Sequence, residues 1–188
     1  MLFNLINKNY ARILLLFTMS PGRNRTRSEI KQGTELNNVP LDIALNKLIN
    51  LGILSEKKKI YSLNLENELV ARLLEEKKIF INLPIKVQFV LIEFIDNITR
   101  LRDIRDIILF GSYAKLIFTD RSDIDIALIL DNRIKDKAKL EKKIFLIKNK
   151  ISKEYKKEIH TSYFLEQDLK HKEDPLIKDI VQNGKSLI

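Results

Sequence analysis

Gly111-Ser112 follows an apolar run, Ile107 to Phe110, and ten residues later Asp123-Ile124-Asp125 opens a second apolar run. Residues two apart on a strand point to the same face, so Asp123 and Asp125 project together. Two adjacent carboxylates repel unless a cation lies between them, and oxygen-only ligation suits Mg²⁺ or Mn²⁺. A Gly-Ser turn after a strand allows close backbone approach and offers N–H groups to phosphate oxygens. Turn and acid pair together describe a site for a metal-bound nucleoside triphosphate.

These residues need a sheet to hold them, and the pattern around them supplies one. It predicts strands at 106–110, 123–130 and 158–164. Helices are expected at 113–118, 136–152, 165–171 and 175–183. A long helix from Pro84 to Leu101, with Val87, Val90, Leu91, Phe94, Ile95 and Ile98 on one stripe, precedes them. Strands alternating with helices give an α/β (α+β) unit, a mixed sheet with its helices mainly on one side. Ile124, Ile126, Leu128 and Leu130 should face those helices, leaving Asp123 and Asp125 on the open side.

The stretch from Asp106 to Leu130 resembles the nucleotidyltransferases of the DNA polymerase beta-like superfamily. The resemblance is to the minimal nucleotidyltransferase group, whose signature is Gly-Ser, ten residues, Asp-x-Asp. It implies transfer of a nucleoside monophosphate, AMP foremost, from an NTP such as ATP to a hydroxyl acceptor. Asp123 and Asp125 would ligate Mg²⁺ or Mn²⁺, and Gly111 and Ser112 would hold phosphates. Lys115 stands where a basic residue follows the turn, and Ser122 matches the family's Ser-Asp-x-Asp. The family's Gly-Ser-x-Ala-Arg-Gly is altered here to Lys115-Leu116. Active members carry a third carboxylate on a later strand, and Glu158 is the candidate. The register by resemblance sets His160 or Thr161 at that acid's position. His171, in a charged stretch, reads as surface. Members of the group serve as antitoxins, so a partner protein or toxin, an RNA end or a small molecule are all candidate acceptors.

The first third has its own pattern. Helices are expected at 7–19, from Thr26 or Ser28 to Gly33, and at 39–51. A hairpin follows through Ile53–Glu56 and Ile60–Leu63, turning at Lys57–Lys59. Three helices and a hairpin resemble a winged helix, dividing the chain into 1–65, a connector at 66–83 (a helix from Glu66 to Lys78, then a link Ile79–Leu83) and 84–188. Asp42, Asn46, Lys47 and Asn50 should line the solvent side of the third helix. Arg23, Arg25 and Arg27, in a basic loop, together with Lys47, Lys57, Lys58 and Lys59, are candidate DNA or RNA contacts. The rival reading is therefore a DNA-binding regulator whose second unit senses a nucleotide or is inactive. Winged helices also pair with protein, a homodimer included.

Composition fits either reading. The 188 residues carry a net charge of +9, of which about +6 lies in residues 1–65, favouring an anionic partner there. No cysteine is present, which excludes disulfides, thiolate metal sites and a Cys nucleophile and suits the cytoplasm. No apolar run has the length of a membrane span.

Overall fold

A computed structural model describes residues 7–76, 82–171 and 173–188. The chain divides into two compact units, Met1–Ile81 and Asn82–Ile188. The expected link Ile79–Leu83 falls partly, and Lys77 and Lys78 of the expected connector helix wholly, outside the described residues.

In the first unit α1 (Lys8–Thr18) starts at Asn7, whose side chain accepts the Asn9 N–H. Its apolar stripe was expected on one face, but every residue from Ala11 to Thr18 is buried. The two-residue strand β1 (Arg25–Thr26) leads into α2 (Arg27–Thr34). Thr26 caps α2 reciprocally with Glu29, so two orphan donors are satisfied at once. Then come α3 (Asn38–Asn50), with Pro40 in its first turn, and the hairpin of β2 (Leu54–Lys57) and β3 (Ile60–Leu63). β3 pairs antiparallel with β1 on one side and β2 on the other. Lys57 pairs with Ile60, leaving Lys58 and Lys59 as a two-residue turn with φ of 52° and 61°. Such turns favour Asn-Gly, and lysine occupies these angles under strain. α4 (Glu68–Glu76) ends the described part of this unit.

The basic loop expected at 23–27 is a correction. Arg25 is a strand residue opposite Tyr61, buried, with its guanidinium donating to Leu16 O at 3.2 Å and lying 5.9 Å from the Phe17 ring centre. Alternation on a two-residue strand turns it inward.

The second unit begins with α5 (Ile85–Ile98) and continues through β4 (Ile104–Phe110), α6 (Gly111–Lys115), β5 (Ile124–Leu130), α7 (Lys137–Tyr155) and β6 (Ile159–Leu165). A 3-10 turn at Asp168–Lys170 stands where a helix was expected. α8 (Pro175–Asn183) and β7 (Lys185–Ser186) complete it. The strand order is β6-β5-β4-β7. β4 is antiparallel to β5 and β7, whereas β5 and β6 are parallel and need α7 as their crossover. The Tyr155 hydroxyl donates to Glu93 at 2.8 Å, a buried tie between α7 and α5.

Two features depart from the expected layout. β7 adds a fourth strand, and Leu187 beyond it is fully buried, its N–H bonded to Ile107 O. The acid-bearing face is also not open along its length. Ile180 of α8 clusters there with Phe110, Ala127 and Ile129, so both faces of β5 are buried beyond Asp125. An apolar residue at every position from Ile126 to Leu130 is the sequence's record of that double burial.

Candidate active site

Phe110 and Asp125 sit opposite each other where β4 and β5 meet. The chain turns immediately after Phe110, with Gly111 at φ +68°, and α6 begins. A β-carbon on residue 111 would overlap Asp125 Oδ2. Glycine is thus required twice, for its backbone angle and for the approach of the carboxylate. The turn and the acid are one packed object.

The residues after the turn are held by their neighbours. Tyr113 and Phe118 stack with ring centres 4.6 Å apart, and Ile117 N–H returns to Ser112 O at 3.0 Å. The Ser112 hydroxyl makes no hydrogen bond with a described residue. Leu116, in the place of the family's glycine, has φ 61°, a left-handed angle that costs a branched residue about 1–2 kcal/mol. Lys157 reaches across to the Asp120 carbonyl at 2.9 Å and lies 5.3 Å from the Tyr113 ring centre. Nothing in the sequence announces that clamp beyond its adjacency to Glu158.

Ser122 accepts the Thr119 N–H at 2.9 Å, bracing the turn into β5. Lys115 points to α8, where its Nζ meets Asp179 Oδ1 at 2.6 Å. That contact and a bond from Asn183 hold the Asp179 carboxyl below its ordinary range.

The acids gather around a histidine. The parallel register puts His160 directly beside Asp125. Its Nε2 is 3.8 Å from Asp123 and 3.7 Å from Glu158, and its Nδ1 is 3.9 Å from Asp125. No Lys or Arg among the described residues pairs with these three carboxylates within 4 Å. Burial raises the Asp125 carboxyl above its ordinary value, and the Asp123 charge adds to the rise while His160 opposes it. His160, weighed only weakly from sequence, is thus the β6 residue beside Asp125, and Thr161 pairs with Ile126; Glu158 lies one side-chain repeat before His160.

Ligand atoms of Asp123, Glu158 and His160 lie within 4.8 Å of one another, close enough to share one ion. A cluster rich in carboxylate oxygen, with His160 but no described Lys or Arg beside it, fits a divalent cation.

Among the candidate nucleic-acid contacts, Arg25 is buried, Arg23 pairs with Glu29 at 3.2 Å, and Arg27 grips Asp42 through Nε at 2.7 Å. Lys47, Lys57, Lys58 and Lys59 are exposed.

No described helix is long and apolar enough to cross a membrane. No curated protein and no solved structure matches the chain. The family model described as polymerase beta, nucleotidyltransferase matches residues 91–188. That span carries the turn, both aspartates and the strand of His160, and the chain belongs to the polymerase beta-like nucleotidyltransferase family.

Proposed function

We propose that the protein transfers a nucleoside monophosphate, AMP from ATP, to a hydroxyl on a protein or RNA acceptor. The observation that carries this reading is the packing of Gly111 against Asp125, beside the cluster of Asp123, Glu158 and His160. Asp123 and Asp125, with Glu158 and His160 at their side, would hold Mg²⁺ or Mn²⁺. A divalent cation held there would supply positive charge to neutralise the phosphates.

The chain's own residues supply the rest. The Gly111-Ser112 turn would hold the β- and γ-phosphates through backbone N–H groups and the Ser112 hydroxyl, which makes no hydrogen bond with a described residue. The acceptor oxygen bonds to the α-phosphorus as the bond to the bridging oxygen breaks, and pyrophosphate leaves. The hydroxyl proton passes to Glu158, the most exposed carboxylate of the cluster, with 76% of its side chain accessible. Lys115 can serve the phosphates only after leaving Asp179.

The test uses each α-labelled NTP in turn, with Mg²⁺ or Mn²⁺, extract of the source cell, and Asp125→Asn protein as control. Label on one protein or RNA band, lost with the variant, is the expected result. Binding of Mg-NTP without any transfer would sink the enzyme reading.

A second reading concerns the N-terminal unit. We infer that it is a winged helix, on the order α1, β1, α2, α3, β2, β3 and its three-stranded sheet. The strained, exposed lysine turn favours a phosphate contact there. Loss of nucleic-acid binding on Lys57→Ala, Lys58→Ala and Lys59→Ala, with transfer intact, is the expected signature. A silent triple variant would leave the wing without that role.

A further inference from the structure

The second unit carries a hollow of about 500 Å³ far from the acids, lined by Arg100, Arg102, Arg133, Lys135, Lys139 and Lys143. The cations come from three segments: the α5–β4 loop, the β5–α7 loop and the first two turns of α7. Two carboxylates, Asp103 and Asp136, also line it. Asp136 is engaged as the α7 cap, accepting the Lys139 N–H at 2.9 Å. Arg100 is held by Asp96 at 2.9 Å. The other five cations make no ion pair with a described residue. The first turn of α7 has no acidic residue, so Lys139 and the neighbouring Lys137 sit at the positive end of a 19-residue helix. Lys137 pairs with Glu141 at 3.8 Å and the Arg133 charge acts on Asp131, so the fold concentrates six cations around one concavity against two lining carboxylates and leaves a net positive excess there.

Ile104 pairs with Leu130 at this end of the sheet, while Phe110 pairs with Asp125 at the other. Five residue steps of β5 separate Asp125 from Leu130, about 17 Å at about 3.3 Å each. The hollow is thus a separate place from the Gly111 turn. Leu101 and Leu140 are its apolar lining and no aromatic ring is present, so it offers charge and no stacking platform.

We propose that this hollow binds a run of closely spaced phosphates, those of a free polyphosphate or of a nucleic-acid backbone. Contacts of this kind neutralise charge and position the ligand without reading bases. Binding is therefore steeply salt-dependent and indifferent to sequence.

The test uses the full chain in EDTA, which removes cation-dependent binding at the aspartates. Inorganic tripolyphosphate is titrated by calorimetry and a labelled single-stranded RNA by anisotropy, across a salt series. One variant carries Arg102→Ala, Arg133→Ala, Lys139→Ala and Lys143→Ala. A control with the same charge loss carries Lys148→Ala, Lys150→Ala, Lys153→Ala and Lys178→Ala. Thermal melts confirm that both fold. The hollow variant should weaken binding at least about tenfold and flatten the logarithmic salt slope by about 3, at about 0.7 per lost phosphate contact. The control should keep both. Loss with tripolyphosphate assigns a free polyphosphate, and loss with RNA alone assigns a nucleic-acid backbone. Equal weakening by hollow and control variants, or no binding of either probe at low salt, overturns the proposal.

Discussion

Gly111 and Asp125, fourteen positions apart, leave no room between them for a single methyl group. The turn and the carboxylate therefore cannot be repositioned independently. Gly111→Ala must displace Asp125 or unwind the turn, and it also forces a β-carbon into φ +68°. The expected loss is about 1–3 kcal/mol of stability and about a hundredfold or more in transfer. Denaturant unfolding and label transfer measure the two. Full transfer by this variant would show that the contact is dispensable.

The raised Asp125 carboxyl makes a prediction about pH. Between its ordinary value of 3.8 and its raised one, the folded state holds more protons than the unfolded state. Stability from this group is therefore present at low pH and lost as pH rises through the folded value. Asp125→Asn removes the charged form and should melt higher than the natural protein at neutral pH in EDTA, while losing transfer. The advantage should fade as the solution is acidified towards the ordinary carboxylate range. A variant that melts lower at neutral pH would contradict the burial of this carboxyl.

Leu116 departs from the family's glycine and carries the matching strain, φ 61° with 40% of its surface exposed. Leu116→Gly should stabilise the second unit by about 0.5–1.5 kcal/mol, since the left-handed angle then costs nothing and little packing is lost. Chemical denaturation reads the gain. No gain would mean that the Leu116 side chain contributes as much contact as its backbone costs.

Arg25 supports the first unit through its bond to Leu16 O, with its guanidinium 5.9 Å from the Phe17 ring centre. Arg25→Ala should cost about 1–3 kcal/mol, mostly by leaving a buried carbonyl without its donor. Label transfer under folding conditions should stay unchanged. A variant of full stability that binds nucleic acid more weakly would return Arg25 to the phosphate-contact set.

How far the sequence disclosed this arrangement depended on distance along the chain. The turn, the aspartates and the strands that carry them are local, and spacing with alternation was enough to place them. The sequence left the α2 cap open between Thr26 and Ser28, and the reciprocal bonds with Glu29 assign it to Thr26. Asp179 lies 64 positions from Lys115, and no local pattern could link them. α8 was expected as a helix, but not which face of the sheet it would cover. β7, with two residues, is too short to give a period. Arg25 looked like one more charge in a basic run, and only its pairing with Tyr61 reveals its inward direction. The cationic hollow draws on three segments that no sequence window contains together.

β5 is hydrogen-bonded on both sides, antiparallel to β4 and parallel to β6. Its side chains alternate with period two, so a slip of one residue would exchange its faces. Asp125 would then enter the apolar layer, and the turn at Gly111 would lose its partner. The chain has no half-correct version of this site. The register that buries the core is thus the same register that brings Gly111 and Asp125 together, so one ladder sets both.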